Sequence, residues 1–344
     1  LDGGHVDEAV TLLERSVSDA AAYPEVHASL LASTSRAYMR LIRNEEAVEA
    51  ADRALVLAEP LALDSVVAEA LANKGAALEA LGRQVEPRLL LREAADIAHE
   101  AGDYDLELRV RSNLSVTLGM QDLPAAMAMR RETVGLAERL GSYKQAAWLR
   151  GLICNQAIPE GLDWVTPRRN LDQLLGEVSD PVTRADLLVT LLSYQLLTGE
   201  DADATLAELD SLAGAQHEGR NEGATQLWRA YARLLEGRAD EALLLIREVL
   251  PSLTQGRIVG DYYLLHSGCV LGDVEAVREA EASIRTTRAI SNAYVATRHV
   301  ASAALAALED RNADAFDGFS DAVHRFRQAG WLYHVAVVQA CLLY

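Results

Sequence analysis

The residues of this chain that could act in catalysis or bind a metal are eight histidines, three cysteines and several adjacent carboxylates. The histidines, such as His99, His266 and His334, are scattered singly along the sequence, so we interpret them as structural or solvent-facing residues. Adjacent acids such as Glu45 and Glu46 stand where a helix is predicted to begin. Negative charge is stabilising at that end of a helix, so these pairs indicate helix starts and not a catalytic carboxylate pair.

Motifs that would carry catalysis or metal binding are absent from the sequence. It contains no GxxxxGK[ST], GxSxG, HExxH or GxGxxG and no calcium-binding loop. Cys154, Cys269 and Cys341 lie far apart and form no CxxC pair, which favours reduced thiols buried on helix faces. We therefore predict a protein that is not an enzyme, with no catalytic residue, no metal and no cofactor.

The net charge of the chain limits the classes of macromolecule that it can bind. Its formal net charge is −19, from 51 acidic and 32 basic residues, so it repels the phosphate backbone and we expect no direct contact with nucleic acid. No apolar run reaches the roughly 18 residues of a membrane helix, and no signal peptide is evident. We expect no membrane association and a cytoplasmic location.

The elements that must position any site are helices. Half of the residues are apolar but only 5% are aromatic, and alanine and leucine dominate the apolar half. Small or apolar residues recur with a period of 40, as at Ser35, Gly75 and Ser115. Short polar or glycine-containing breaks recur with nearly the same period, and each is a predicted turn between helices. The predicted breaks include Gly82-Arg83, Gly119 to Asp122, Pro159 to Gly161, Gly199 to Asp201, Gly237-Arg238, Gly272-Asp273 and Asp310 to Asn312.

One segment shows the repeat most clearly. Ser35 and Tyr38, followed by Ala47, Ala51 and Ala54, resemble a tetratricopeptide repeat. In that repeat a small residue precedes an aromatic or aliphatic one by three places, and a small-large-small pattern follows in the second helix. The resemblance implies an all-α solenoid, a right-handed superhelix of about eight to nine helix-turn-helix units.

The resemblance covers essentially the whole chain, most weakly over 143–215. We predict a single repeat domain over 1–344, in which 24–330 forms helical hairpins. Residues 1–23 read as the second helix of a unit that lacks its first helix, which predicts a fragment of a larger protein. Residues 331–344 form a terminal helix, either a cap that makes a homo-oligomer through its outer face or a helix after which the chain continues.

A narrower resemblance sets the functional expectation. The period near 40, with turns such as that at Gly102-Asp103 and that at Gly141, resembles the C-terminal arrays of large bacterial signalling ATPases. These include maltose-regulator-type transcription activators and ATPase-linked nucleotide cyclases. The resemblance implies a non-catalytic scaffold that binds a protein or peptide, the sensory or assembly arm of a larger signalling or transcriptional regulator.

Ligands of tetratricopeptide proteins contact first-helix residues that face away from the second helix. The resemblance therefore implies a concave groove lined by Arg36, Arg40, Asn73, Arg109 and Asn113. An asparagine amide can donate to and accept from a peptide backbone, and a guanidinium can pair with a carboxylate through two hydrogen bonds. These residues could equally be ordinary solvated positions, and the pattern leaves both interpretations open.

The alternative function is a sensor whose superhelix closes around a small molecule and controls an upstream ATPase or cyclase domain. A cluster of aromatic and arginine side chains would favour it. The four tryptophans (Trp148, Trp164, Trp228 and Trp331) are interpreted as packing residues, with anchors in a groove as the alternative.

Overall fold

The computed structural model describes residues 6–83, 85–119, 121–213, 222–253, 257–286 and 291–342. Within these ranges every regular element is a helix, which confirms the predicted all-helical array. The α-helices are α1 (Val6–Asp19), α2 (Pro24–Arg40), α3 (Asn44–Ala58), α4 (Asp64–Ala80), α5 (Val85–Glu100), α6 (Tyr104–Gly119), α7 (Leu123–Arg139), α8 (Tyr143–Glu160), α9 (Val165–Glu177), α10 (Pro181–Thr198), α11 (Asp203–Ala213), α12 (Glu222–Leu235), α13 (Ala239–Val249), α14 (Arg257–Leu271), α15 (Val274–Thr286), α16 (Asn292–Leu308), α17 (Asn312–Ala329) and α18 (Leu332–Cys341). None of the helices described is both long and apolar enough to cross a membrane. The outermost parts of the predicted first and terminal helices, 1–5 and 343–344, lie outside the described residues.

The chain separates into two compact units. Unit 1 comprises Leu1–Ser142 with Arg288–Ser291, and unit 2 comprises Tyr143–Thr287 with Asn292–Tyr344. Among the described helices, α1 is followed in unit 1 by three hairpins, α2–α3, α4–α5 and α6–α7; in unit 2, five hairpins from α8–α9 to α16–α17 are followed by α18. Each helix packs mainly on its neighbours in sequence, as in a helical repeat.

The turns fall where glycine and polar breaks predict them. Positive φ angles occur at Gly82, Gly102, Gly141, Gly161, Gly199, Gly237, Gly272 and Gly330. Each of these glycines follows the end of a helix, where the left-handed conformation lets the chain leave the helix. The predicted break at residues 310–312 also has a positive φ, at Asp310.

Hydrogen bonds between successive hairpins repeat the sequence period. In unit 1 the Asn73 amide donates to the Ala32 carbonyl at 2.9 Å, across 41 residues. In unit 2 the buried Tyr194 hydroxyl donates to the Cys154 carbonyl at 2.7 Å, across 40 residues. The period near 40 is therefore the spacing of first helices that lie side by side within each unit.

Small residues allow the two helices of a hairpin to approach closely. Ser35 on α2 is fully buried, and its hydroxyl donates to the Ala47 carbonyl of α3 at 2.7 Å. Gly75, one period later on α4, faces α5 so closely that a Cβ atom would lie 3.1 Å from Leu91 Cγ and 3.3 Å from the Pro87 carbonyl oxygen. The predicted small-residue column is thus the contact line between helices.

The helix α18 packs back onto the first helix of unit 2. It contacts α17 and also α8. The Tyr333 ring lies 5.6 Å from the Trp164 ring between their centroids. Gly161 lies so close to α18 that an added Cβ atom would be only 2.9 Å from the Tyr333 backbone nitrogen. The terminal helix therefore has neighbours within its own unit; assembly through its outer face stays a prediction.

Arg130 of α7 is a buried charge without a carboxylate partner among the described residues. Its side chain is 1% exposed, and it donates from Nη2 to the Ser115 carbonyl at 3.1 Å and from Nε to the Ser115 hydroxyl at 3.4 Å. Its Nη1 has no partner in the described part of the chain. Burial lowers the pKa of Arg130 to about 10.

Replacing Arg130 with leucine is expected to stabilise unit 1. Leu90 and Ala50 occupy the equivalent positions one and two periods earlier, so an apolar side chain suits this column of the repeat. Removing a buried charge whose desolvation is poorly compensated should raise the free energy of unfolding by about 1–3 kcal/mol. Urea unfolding would measure the gain, with exposed Arg131→Leu as the matched control. A loss of stability in Arg130→Leu would show that the bonds to Ser115 outweigh desolvation.

Candidate ligand-binding surfaces

One side of α2 carries Arg36 and Arg40, two of the five residues that the resemblance implies for a groove. Val26, Ser29, Ser33, Arg36 and Arg40 are spaced by three or four positions and so share one helix side. The equivalent side continues on α4 and α6, because positions one period apart correspond. We call this surface the A face; it comprises Val26, Ser29, Ser33, Arg36 and Arg40 of α2, Glu69 and Asn73 of α4, and Arg109 and Asn113 of α6.

A cleft opens on the α2 end of the A face. Its volume is about 450 Å³, and it is lined by Glu25, Val26, Ser29, Leu30, Ser33 and Leu63. The serines offer hydroxyl donors and acceptors, while Val26, 53% exposed, offers an apolar contact. Arg36 and Arg40 are partly exposed and continue the same stripe one and two turns further along α2.

Asn73 and Arg109, both implied for the groove, contact each other within the unit. Asn73 is 1% exposed. Besides donating to Ala32, its side-chain carbonyl accepts a hydrogen bond from Arg109 Nη1 at 3.3 Å. Arg109 Nη2 also lies 3.3 Å from a Glu69 carboxylate oxygen. These contacts tie α2, α4 and α6 together, and they occupy the Asn73 amide.

Asn113 of α6 is partly exposed, and its backbone carbonyl accepts from the Thr117 hydroxyl at 3.3 Å. The structure thus brings Asn73 and Arg109 into direct contact, and it places Arg36, Arg40 and Asn113 along the same stripe. Whether the exposed members bind a ligand stays a prediction.

Unit 2 contains a feature that sequence reasoning missed, an aromatic–histidine cluster that joins α14, α17 and α18. Its ring-to-ring contacts are Tyr262 to His266 (4.6 Å), Tyr262 to His334 (6.4 Å), His334 to Trp331 (4.8 Å), His334 to Phe326 (5.1 Å) and His334 to Tyr333 (5.4 Å). His334 lies at its centre, and its buried Nδ1 has no partner among the residues described.

Burial sets the protonation of this cluster. Burial, together with the smaller effect of the neighbouring His266, lowers the pKa of His334 to about 4. Burial also lowers the pKa of His266. Both imidazoles are therefore neutral near pH 7, so each has one nitrogen that accepts a hydrogen bond and one that donates.

A second group of rings lies on α12 and α14. The Tyr231 and Tyr263 rings stack at 4.5 Å, and the Trp228 ring meets them edge-on at 6.2 and 6.0 Å. Burial raises the pKa of Tyr231 to about 12. All four tryptophans belong to unit 2. Three of them, Trp164, Trp228 and Trp331, contact other aromatic or histidine rings.

Part of the aromatic–histidine cluster could be predicted from the sequence. Tyr262 and His266 are four residues apart, so they share a helix side. The contact between α14 and α18 joins residues that are separated by three intervening helices, and no periodic pattern predicts it. In the ranges that the structure describes, no three His, Cys, Asp or Glu residues are grouped so as to hold a metal.

No protein-family model matches this chain, and no curated protein matches it in sequence. Its assignment as a helical repeat therefore depends on the hairpins and their period.

Proposed function

We propose that this chain is a non-catalytic, tetratricopeptide-like scaffold, coiled as a right-handed superhelix, that binds an extended segment of another protein along the A face. The observation that supports it is the continuous stripe on α2. There a cleft of about 450 Å³ with two serines leads directly to Arg36 and Arg40. Serine hydroxyls suit the backbone groups of an extended peptide, and the arginines suit its carboxylates.

The local charge indicates the chemistry of the partner. The chain as a whole is strongly acidic, yet the α2 stripe carries two arginines. A segment with acidic side chains spaced to meet Arg36 and Arg40 fits this surface, whereas a basic segment would interact mainly with the acidic remainder by non-specific attraction.

We place this scaffold in the sensory or assembly arm of a larger bacterial signalling or transcriptional regulator, in the cytoplasm. The resemblance of the repeat supports this setting, and the net charge supports the absence of direct nucleic-acid contact. Self-association through α18 belongs to the same proposal.

Selection from a peptide library, followed by calorimetry on the selected peptides, tests the scaffold proposal. The Arg36→Ala/Arg40→Ala double variant should weaken binding of acidic peptides by about tenfold or more, because two charge-assisted contacts are lost. Arg131→Ala, exposed on α7 and outside both the A face and the clefts, is the matched control and should bind as the parent does. Equal affinity in the double variant would remove the A face as the site.

The aromatic–histidine cluster favours a second candidate function, a small-molecule sensor. Aromatic rings with a buried, unpartnered nitrogen at His334 suit a flat organic ligand with one hydrogen-bonding group. Calorimetry with metabolite pools separates the candidates. Saturable heat with a metabolite, abolished in His334→Phe and absent with peptides, would replace the scaffold proposal by the sensor.

A further inference from the structure

A second cleft in unit 1, of about 470 Å³, lies between α5, α6 and α7. Its lining combines charge with apolar surface, and consists of His99, Tyr104, Glu107, Arg111, Glu132, Leu136, Arg139 and Leu140. Arg111 and Arg139 are the cations, and Tyr104, Leu136 and Leu140 form an apolar strip. A pocket of this size is suited to a small organic ligand or to the end of a peptide.

A buried carboxylate positions the charged groups of this cleft. Glu107 is 3% exposed, and its two oxygens lie 2.7 Å from Arg111 Nε and 3.0 Å from His99 Nδ1. Arg111 pairs with the carboxylate by charge, because its Nε lies close to it without making a hydrogen bond in the described ranges. Its two Nη groups make no hydrogen bond to the residues described. Arg139 and Glu132 likewise have no ion-pair partner among those residues.

The preceding hairpin has apolar residues where this cleft has its ion pair. Leu31 and Leu71 occupy the positions equivalent to Arg111 in the two preceding hairpins, and Val67 occupies the position equivalent to Glu107. The hairpin before that has His27 at the position of Glu107, so only the preceding hairpin is apolar at both positions. A buried ion pair in place of two apolar side chains adds desolvation cost without improving packing. Stability therefore does not explain why this hairpin has Glu107 and Arg111 at these positions.

We propose that this cleft binds an organic carboxylate with an apolar side chain. In this arrangement Arg111 and Arg139 hold the carboxylate through charge-assisted hydrogen bonds, and Tyr104, Leu136 and Leu140 contact the side chain. Glu107 is a positioning residue, because it fixes the Arg111 guanidinium with its Nη groups directed to the ligand. Two sources share this chemistry, a free amino acid and the C-terminal end of a peptide.

This cleft is separate from the A face. Glu107 and Arg111 each stand two residues from Arg109 on α6, and two residues on an α-helix turn the side chain by about 200°. The cleft therefore lies on the opposite side of α6, and its ligand does not depend on the scaffold proposal.

Saturation-transfer NMR titrations with small probes test the proposal. The probes are N-acetyl-L-leucine, its C-terminal amide, L-leucine and a short peptide that ends in leucine. The three carboxylates should bind, and the amide should bind at least about tenfold more weakly, because it lacks the charge that the arginines recognise. Binding of the amide as tight as that of the acid, or no binding of any carboxylate, would overturn the proposal.

Variants drawn from the repeat keep the test independent of folding. The Glu107→Val/Arg111→Leu double variant restores the residues of the preceding hairpin, so it should fold with an unchanged circular dichroism spectrum and lose carboxylate binding. Arg139→Ala should weaken binding by about tenfold. Arg131→Ala, exposed on α7 and outside both proposed binding surfaces, should leave it unchanged. Carboxylate binding that persists in the folded double variant would also overturn the proposal.

The two sources of the carboxylate are distinguished by Glu132→Gln. An ammonium group would pair with the Glu132 carboxylate, so this variant should weaken L-leucine but not N-acetyl-L-leucine if the ligand is a free amino acid. Tighter binding of the peptide than of L-leucine, unaffected by Glu132→Gln, identifies a chain end. Either result supports the carboxylate site.

Discussion

Replacing Gly161 with alanine is expected to destabilise unit 2 by about 2–4 kcal/mol and to loosen α18, because two separate costs add. The backbone at Gly161 has a φ of +71°, which costs an L-residue about 1–2 kcal/mol. The added Cβ would also lie 2.9 Å from the Tyr333 nitrogen and 3.3 Å from its Cα. Because these are backbone atoms, the contact is relieved only if α18 moves away, which adds a cost typical of overpacking.

Gly199→Ala provides the matched control in the same unit. Gly199 has a φ of +74°, but a Cβ there would meet nothing within 4 Å, so its variant should lose only the conformational term of about 1–2 kcal/mol. Hydrogen exchange reports each helix separately. Amides of α18 should exchange faster in Gly161→Ala and remain protected in Gly199→Ala. Equal protection of α18 in both variants would contradict the close approach of Tyr333.

Replacing Gly75 with leucine is expected to destabilise unit 1 by about 3 kcal/mol, whereas serine at the same position should be tolerated. A leucine would have to enter the space that Leu91 and the Pro87 carbonyl occupy, within 3.3 Å of the new Cβ. Overpacking of this kind costs about 1–3 kcal/mol, and the backbone oxygen cannot shift without displacing the start of α5.

Serine is the appropriate comparison because the repeat already uses it. The Ser35 hydroxyl donates to the Ala47 carbonyl, and Pro87 is the equivalent of Ala47 in the next hairpin. A serine at position 75 should therefore donate to the Pro87 carbonyl in the same way, and it also forms helix better than glycine. Urea unfolding should place Gly75→Ser within about 1 kcal/mol of the parent protein. Comparable losses in both variants would show that any side chain is excluded there.

The parts of the fold that follow from the period could be predicted from the sequence. Glycine at residues 82, 161 and 237 marks a turn because a left-handed residue ends a helix, and this is a local property. The small column at Ser35 and Gly75 could be predicted because close helix contact requires small side chains. The resemblance implies an exposed groove position for Asn73, but its side chain is buried, and this burial depends on Ala32 and Arg109, which belong to neighbouring hairpins.

The features that depend on departures from the repeat could not be predicted in the same way. Arg111 stands in a leucine column, and the alignment shows the exception without its cause, which is the buried carboxylate of Glu107. His334 has ordinary neighbours in sequence, and only the return of α18 to α14 and α8 makes it the centre of a ring cluster. Contacts between distant segments are set by the accumulated geometry of all the hairpins between them.

The return of α18 to α8 also determines the order in which unit 2 can assemble during synthesis. The two helices of each hairpin are adjacent in the sequence, so a hairpin can form as soon as its second helix has been synthesised. The turn at Gly161 must wait for Tyr333, ten helices later in the chain, before it gains its neighbour. Until then, the side of α8 that α18 contacts is uncovered on the nascent chain and can contact other molecules.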